Sequence, residues 1–549
     1  MGGPPTPREA GTSTRPPRRS PSPSDASVLA LLGLLSVALL GLLLWRASRY
    51  DLAWTGVDGL NVLDQMQYVA WIQEAAGHGL ARNPYQLGHS ARSFLHPGIA
   101  LSGALAAAGV APNVAYLLWK PVAVVALFLA VRTFLIQTVP GVWPRRVALG
   151  LALLTSPLLA ALGSRVPGLG IRELLDARYL GQDLWPVFWL WGYPFAALAV
   201  AALPACLVAY ARDGRDGRTR AWAPALALLC SWLQPWQGAT LLGVLVVAEA
   251  TARREKRNAR ALVACLTVGA APLVYYALLA KLDPSWASAG EANMSSRPYS
   301  ALVLCLLLLP LALPAVLAYR RRRANFLGRA LRAWPLVGLA LFCLINYAHV
   351  GTYAPHALQG LGIPLAALAV IGFGQSPLAR SHRLPSATAV AALAGLVVLP
   401  VTLELDRARD TVFPGAPYML ESGDRAALQF LRDDRRPGGV LAPAHIGLMI
   451  PAKTRRPTWV GALSWTPDFR ERAQLAHRLF DAPDRPLRTL GLPPPEHRLD
   501  RGRSVALVRE SGTRFVLVDC ASKADLGRSL KVLVASTRRF GCATILELR

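Results

Sequence analysis

The chain has 549 residues, 53% of them hydrophobic and 17% charged, with a formal net charge of +27 at neutral pH. Its apolar residues gather in runs near the roughly 18–25 residues that cross a hydrocarbon slab, which excludes an ordinary soluble protein. So large a basic excess also suits nucleic-acid binding. Here the charges lie mainly between apolar runs, the positive-inside pattern of a multi-pass membrane protein, and no nucleic-acid partner is implied.

Residues 1–27, rich in Pro, Ser and Arg, cannot bury a core and predict a disordered basic cytoplasmic tail. No secretory cleavage signal is present, so Val28–Trp45 reads as an uncleaved first span that exits outward. The loop from 46 to 96 is then outside, and Val62–Ala76 within it has helical spacing. Pro97–Val110 is apolar but short, an interfacial or half-inserted helix. Asn113–Val131 returns inward to the Arg145-Arg146 turn, and Val147–Gly163 goes out. Ser164–Leu184 reads as an outer loop, and Trp185–Tyr210 comes back. Ala221–Thr251 is too long for one span and too short for two, with basic residues at both ends. It predicts a hairpin of two short helices, broken at Gln234-Pro235-Trp236-Gln237-Gly238. Such backbone is tolerated in a membrane only where protein buries it or it lines a cavity.

Ala261–Ala280 goes out again, and Lys281–Tyr299 is an outer loop. Ser300–Leu317 returns, Trp334–His349 exits, Ala357–Phe373 returns and Ala387–Leu403 exits last. This path leaves the basic clusters on one side. Residues 28–403 therefore read as an all-α polytopic domain of about 9–11 transmembrane helices in the cytoplasmic (plasma) membrane, with its N-terminus cytoplasmic. Residues 404–549 are different material: Pro/Gly turns, mixed charge and short apolar runs. Helices at 424–432, 468–480 and 526–535 alternate with strands at 439–441, 514–519 and 543–548. That alternation predicts a small extracytoplasmic α/β domain. Cys520 and Cys542 lie in it; an oxidising compartment would permit a disulfide between them, and sequence spacing alone does not decide whether their geometry allows it.

Carboxylates at the rim of a hydrocarbon slab need a partner or a task. Asp58 sits on a turn between Gly56 and Gly59, and Asp64 and Tyr68 share one helix face. Either carboxylate suits general-base work on a hydroxyl; Asp64 equally suits the start of a helix. Arg92 and His96 are candidates for binding a donor phosphate, Arg through its planar fork and His96 at the head of a helix. Arg92 also suits snorkelling to lipid headgroups. The hairpin tip offers Trp236 as a stacking face and Gln234 or Gln237 as a donor, with Tyr68 completing a substrate pocket; a packed kink would use the same residues. Asp176 and Asp183 are further candidates for the pocket, and a solvated loop charge explains them as well; His349, Tyr353 and His356 flank a short outer turn and read as ordinary interfacial residues. No His/Glu cluster has metal-ligand spacing, so no cofactor is indicated, and a divalent metal stays open.

In motif order, residues 28–135 resemble the GT-C class of membrane glycosyltransferases, including protein O-mannosyltransferases and aminoarabinose transferases. Asp64 and Tyr68 match the Asp and Tyr of that class's Asp-Glu-x-x-Tyr stretch, with Gln65 in place of Glu. His96-Pro97-Gly98 stands in place of Lys-Pro-Pro, and Trp119-Lys120-Pro121 leads into a span. Pro451–Arg456 and Trp465–Phe469 resemble segments of the outer α/β tails of bacterial proteins of this kind. The resemblance implies a glycosyltransferase that moves a sugar from a polyprenyl-phosphate donor to a glycan, lipid or protein acceptor of the cell envelope at the outer face of the bilayer. Asp64 or Asp58 would be the base, and Arg92 and His96 would steady the leaving phosphate. Two further readings are open: a flippase or transporter of lipid-linked glycans, using the broken helices, and a catalytically silent protein that binds such a glycan.

Overall fold

The computed structural model describes residues 23–88, 90–163, 168, 170–216, 221–253, 258–294, 297–320, 325–376, 386–412, 417–482 and 497–549. The expected disordered tail, apart from its last residues, lies outside the described residues, as do the basic clusters at 218–220, 254–257 and 321–323.

A long helix, α1 (Pro23–Tyr50), leads to the two-residue strand β1 (Ala53–Trp54) and to α2 (Val62–His78). Then come α3 (Pro97–Ala107), α4 (Pro112–Leu117), α5 (Trp119–Thr138), α6 (Val142–Leu154) and α7 (Leu158–Leu162). They are followed by α8 (Ile171–Leu184), α9 (Pro186–Gly192), α10 (Pro194–Asp216), α11 (Trp222–Leu233) and α12 (Pro235–Ala250). The membrane domain continues with α13 (Ala259–Leu282), α14 (Pro284–Asn293), α15 (Ala301–Ala318), α16 (Phe326–Ala348) and α17 (Gly362–Phe373). A 3-10 turn, Ala354–Leu358, lies between the last two, and the helix Ser386–Val412 leads to the C-terminal region.

Seven helices among the described residues are long and apolar enough to cross a membrane. Their burial orders them. In α10 78% of the apolar window is buried, so it is the central helix; in α13 22% is, so most of its surface is left for lipid. α10 packs on α5 and α11, and α17 packs on α15 and α6. Gly372 permits that second contact, because a Cβ there would lie 1.9 Å from the Pro314 carbonyl oxygen.

The segment 221–251 is the expected hairpin. Ala227 of α11 and Leu242 of α12 both reach Gly269 of α13, which requires the two short helices to fold back on each other. Gly238 makes the fold possible, since a Cβ would meet the Ser231 side chain at 2.3 Å.

Several stretches differ from the sequence reading, among them the outer loop at 281–299, which holds the helix α14. The outer loop at 164–184 is largely the helix α8. The span expected from Trp185 to Tyr210 is split into α9 and α10 at Tyr193, because the residue before Pro194 is driven out of the helical region. The helix expected at 526–535 stops at Ser529, and Val534–Phe540 is a strand. There the β-branched and apolar residues gain more from pairing with a neighbouring strand than from a helix.

The C-terminal region sits over the same end of the membrane domain as the first loop. β1 pairs antiparallel with β2 (Met419–Leu420), and Thr458 N–H donates to the Pro84 carbonyl. Its main sheet has the order β3-β4-β6-β5, from β3 (Val440–Leu441), β4 (Phe515–Val518), β5 (Val534–Phe540) and β6 (Ala543–Leu548). β3 and β4 are parallel; the other pairs are antiparallel. Arg456 ties its turns together: Nε donates to the Leu431 carbonyl at 2.7 Å and Nη1 to that of Arg436 at 2.7 Å, with the guanidinium over the Phe515 ring. Cys520 and Cys542 form a disulfide.

Candidate active site

Asp58 and Asp64 lie six residues apart and meet different surroundings. Asp58 is fully buried, and its Oδ2 lies 2.7 Å from Nζ of Lys120, itself only 3% exposed. The same ammonium donates to the carbonyls of Ser36 (3.1 Å) and Leu190 (2.5 Å), so it joins α1, α9 and the first loop to α5. Gln65 finishes the knot. Its Oε1 accepts from the backbone N–H of Asp58 (2.9 Å) and Gly59 (2.6 Å), and its Nε2 donates to Asp58 Oδ1 at 2.8 Å. Glutamate could not make that last bond, because an ionised carboxylate has no proton to donate. The Gln at this position therefore has a local physical reason.

Asp64, in the first turn of α2, is half-buried. Its Oδ2 accepts from the Tyr193 hydroxyl at 2.5 Å, and that oxygen accepts from Asn61 Nδ2 at 2.8 Å. The α9–α10 break supplies this contact, since Tyr193 is the extended residue between the two helices. Burial holds the Asp64 carboxyl above the usual carboxylate range; Tyr193 and His356 draw it down, and Asp183 pushes it up. His356 and Asp183 thus lie within electrostatic reach of Asp64.

Asp183, at the end of α8, accepts from Gln359 Nε2 at 2.6 Å and lies 3.1 Å from Nδ1 of His356. His356 keeps 30% of its side chain exposed. The hairpin tip closes the group: Gln237 Nε2 donates to the His356 carbonyl at 3.0 Å, and Gln234 Nε2 reaches Gln359 Oε1 at 3.4 Å. Gln237 is fully buried, and its Oε1 has no hydrogen-bond partner among the described residues. Trp236 packs against the Gly351 turn beside this group. Four separated stretches of sequence thus meet around Asp64.

His96 caps α3. Its Nδ1 accepts from Ile99 N–H (3.3 Å) and its Nε2 faces the Leu233 carbonyl (3.2 Å) at the hairpin tip. A ring that accepts at one nitrogen and donates at the other is neutral, and burial pushes His96 down to about 4. The imidazole therefore fastens the hairpin to α3 and carries no charge for a phosphate near neutral pH.

Arg92 lies 3.7 Å from Glu74, which also accepts from Arg82 at 3.1 Å. Glu74 is ten residues beyond Asp64 on α2, about 15 Å along the axis. Arg92 and His96 are consequently not side by side next to Asp64. Tyr68 stacks on Tyr116 with ring centroids 5.7 Å apart and meets Phe195 and Trp71 edge-on, forming an aromatic wall.

A cavity of about 580 Å³ is lined by Asn83, Ser90, Ser93, Ser285, Trp465 and exposed Leu278 among others. Trp71, Trp286 and Trp465, with ring centroids 4.7–5.8 Å apart, pack α2 and α14 against the C-terminal region next to it. The tightest group of metal-ligating residue types among the described residues is Glu421 with Cys520 and Cys542. Those two sulfurs are bonded to each other and offer no thiolate. The sequence reading passed over Tyr193, Gln359 and Lys120 as site residues. The Tyr193-Pro194 and Lys120-Pro121 steps, each a polar residue at an interruption of an apolar run, were the signals available.

No family model and no curated protein matches the chain. Among solved structures, the arabinofuranosyltransferase AftD from mycobacteria superposes with a TM-score of 0.51 at 17% identity, over 95% of this chain and 41% of that one. The oligosaccharyltransferase of Archaeoglobus fulgidus gives 0.45 at 13% identity, over 92% of this chain and 71% of that one. ArnT from Cupriavidus metallidurans gives 0.44 at 12% identity, over 95% and 96%. The AftD likeness establishes the fold, the polytopic GT-C architecture anticipated from the motifs in the first loop.

Proposed function

We propose that the chain is a glycosyltransferase that takes a sugar from a polyprenyl-phosphate donor and passes it to a hydroxyl of a cell-envelope glycan, lipid or protein at the outer face of the plasma membrane. The observation that carries this reading is the meeting of Asp64, Tyr193, Asp183 and His356 with the broken hairpin tip, at the end of the membrane domain covered by the C-terminal region. A disulfide in that region supports an oxidising, extracytoplasmic position for it.

In this reading Asp64 is the base. Its raised pKa makes the ionised carboxylate a better proton acceptor than a solvated one. The acceptor hydroxyl gives its proton to Asp64, and its oxygen attacks the anomeric carbon. The bond from that carbon to the phosphate oxygen breaks, and polyprenyl phosphate leaves with the electron pair, with inversion at the carbon. Tyr193 holds the carboxylate in one rotamer. His356, held through Nδ1 by Asp183, has no partner at Nε2 among the described residues; only as an imidazolium does it donate from that nitrogen to the leaving phosphate. Arg92, paired with Glu74 away from Asp64, has no direct part in the transfer. Asp58 is structural.

The test is reconstitution of the full chain in vesicles with a radiolabelled polyprenyl-phosphate sugar and envelope extract. Label moving from the lipid to an acceptor, with polyprenyl phosphate released in equal amount, supports the reading. Label that stays on the lipid but crosses the bilayer would replace it with transport.

A further inference from the structure

A second cavity lies at the C-terminal end of α1, away from the residues around Asp64. Leu52, Ala53 and Trp54, just past the last turn of α1, line it together with Leu420 and Leu428. The rest of its lining is Arg425, Gln429, Arg432 and Lys453. Its volume is about 590 Å³, room for a polar headgroup and the first carbons of a chain. No carboxylate lines it.

The charges in this cavity are poorly compensated. Arg432 meets Asp433 at 3.1 Å, both side chains being exposed. Arg425 and Lys453 have no side-chain hydrogen bond or ion pair among the described residues. Lys453 is half-buried, and burial with the neighbouring Arg432 holds its ammonium down to about 8. A desolvated cation without a counter-charge is unfavourable, and a bound anion removes the penalty.

The depth of the cavity is set by α1. Trp45 (53% exposed) and Tyr50 (56% exposed) ring the end of the helix, as aromatic side chains do at headgroup level. Leu52 and Trp54 follow within one turn's length. The cavity lining thus combines apolar side chains with three cations, beside the aromatic end of α1.

We infer that this cavity binds the phosphate of an anionic phospholipid, in the leaflet where the C-terminal end of α1 emerges. The phosphate lies against Lys453 and Arg425, and the first lipid carbons lie against Leu52, Trp54 and Leu420. The lipid bridges β1 and β2, the seam at which the C-terminal region is tied to the first loop. The site is separate from the proposed transfer chemistry, since Asp64, Asp183 and His356 are not among its lining residues.

The experiment uses the full chain in neutral detergent, titrated with short-chain phosphatidylglycerol, phosphatidylcholine or inorganic phosphate and followed by native mass spectrometry and melting temperature. Phosphatidylglycerol is retained and raises the melting temperature, while phosphatidylcholine does neither. Lys453→Gln and Arg425→Gln each weaken phosphatidylglycerol binding about fivefold, the loss of one cation near a headgroup, and Lys453→Arg restores it. Equal binding of phosphatidylcholine, or wild-type binding by the Lys453→Gln/Arg425→Gln double variant, overturns the proposal. Inorganic phosphate that displaces the lipid at equal concentration also overturns it, in favour of a soluble phosphate ligand. Asp64→Asn leaves lipid binding unchanged, so failure here is independent of failure of the transferase reading.

Discussion

Replacing Asp58 by Asn separates a structural carboxylate from a catalytic one. The substitution keeps an oxygen for Gln65 Nε2 but removes the charge 2.7 Å from Lys120, leaving an ammonium that is 3% exposed with two backbone carbonyls as its partners. Breaking one side of a buried pair costs about 3–5 kcal/mol. The two carbonyl bonds offset part of that, so about 2–4 kcal/mol is the expected loss, a fall in melting temperature on the order of 5 °C. Lys120→Met alone strands the Asp58 carboxylate and the Ser36 and Leu190 carbonyls, and costs as much or more. In the Asp58→Asn/Lys120→Met double variant the two losses do not add, and the coupling energy is about 2 kcal/mol or more. The assay is thermal unfolding in detergent for all four corners of the cycle, with transferase turnover measured at low temperature where every variant is folded. Unchanged melting temperature with turnover lost at least about 100-fold in Asp58→Asn would refute the reasoning and make Asp58 the base.

Gln65→Glu sets a second carboxylate beside Asp58 and removes the donor to its Oδ1; the variant melts lower than wild type at pH 8 and recovers at pH 5, where one of the two acids takes a proton. The pH profile of turnover has an acid limb above the ordinary aspartate range, because Asp64 must be ionised to accept a proton and burial raises its pKa. Activity thus rises with pH through that limb, and Tyr193→Phe, which removes a bond favouring the ionised form, moves the limb to higher pH. A limb unmoved in Tyr193→Phe would detach that hydroxyl from the base. Reduction of Cys520–Cys542, which closes a loop of 22 residues, removes about 3 kcal/mol from the C-terminal region, read as earlier proteolysis of that region under dithiothreitol.

Much of the architecture was legible because hydrophobic run length and basic flanks are one-dimensional signals. The hairpin at 221–251 followed from a run too long for one span, with Gln234-Pro235 at its middle. The helix breaks that shape the site were harder to read. Tyr193-Pro194 lies within one apolar run, so hydropathy alone joins α9 to α10 and hides the residue that meets Asp64. The candidate residues were visible as types and ambiguous as roles. Asp58 and Asp64 look alike in sequence; Lys120, 62 positions later, consumes one and leaves the other in the cleft. His96 looked like a possible cation because its two partners, one of them the Leu233 carbonyl, cannot be read from its neighbours. Asp183 and His356 looked like ordinary loop charges until the fold set them beside Asp64.

The most direct test is the rate of sugar transfer by Asp64→Asn in the reconstituted vesicles, beside wild type and Asp58→Asn. Transfer falls by about 100-fold or more with folding intact when the proton acceptor is removed. Asp64→Asn that glycosylates the acceptor at the wild-type rate would contradict it.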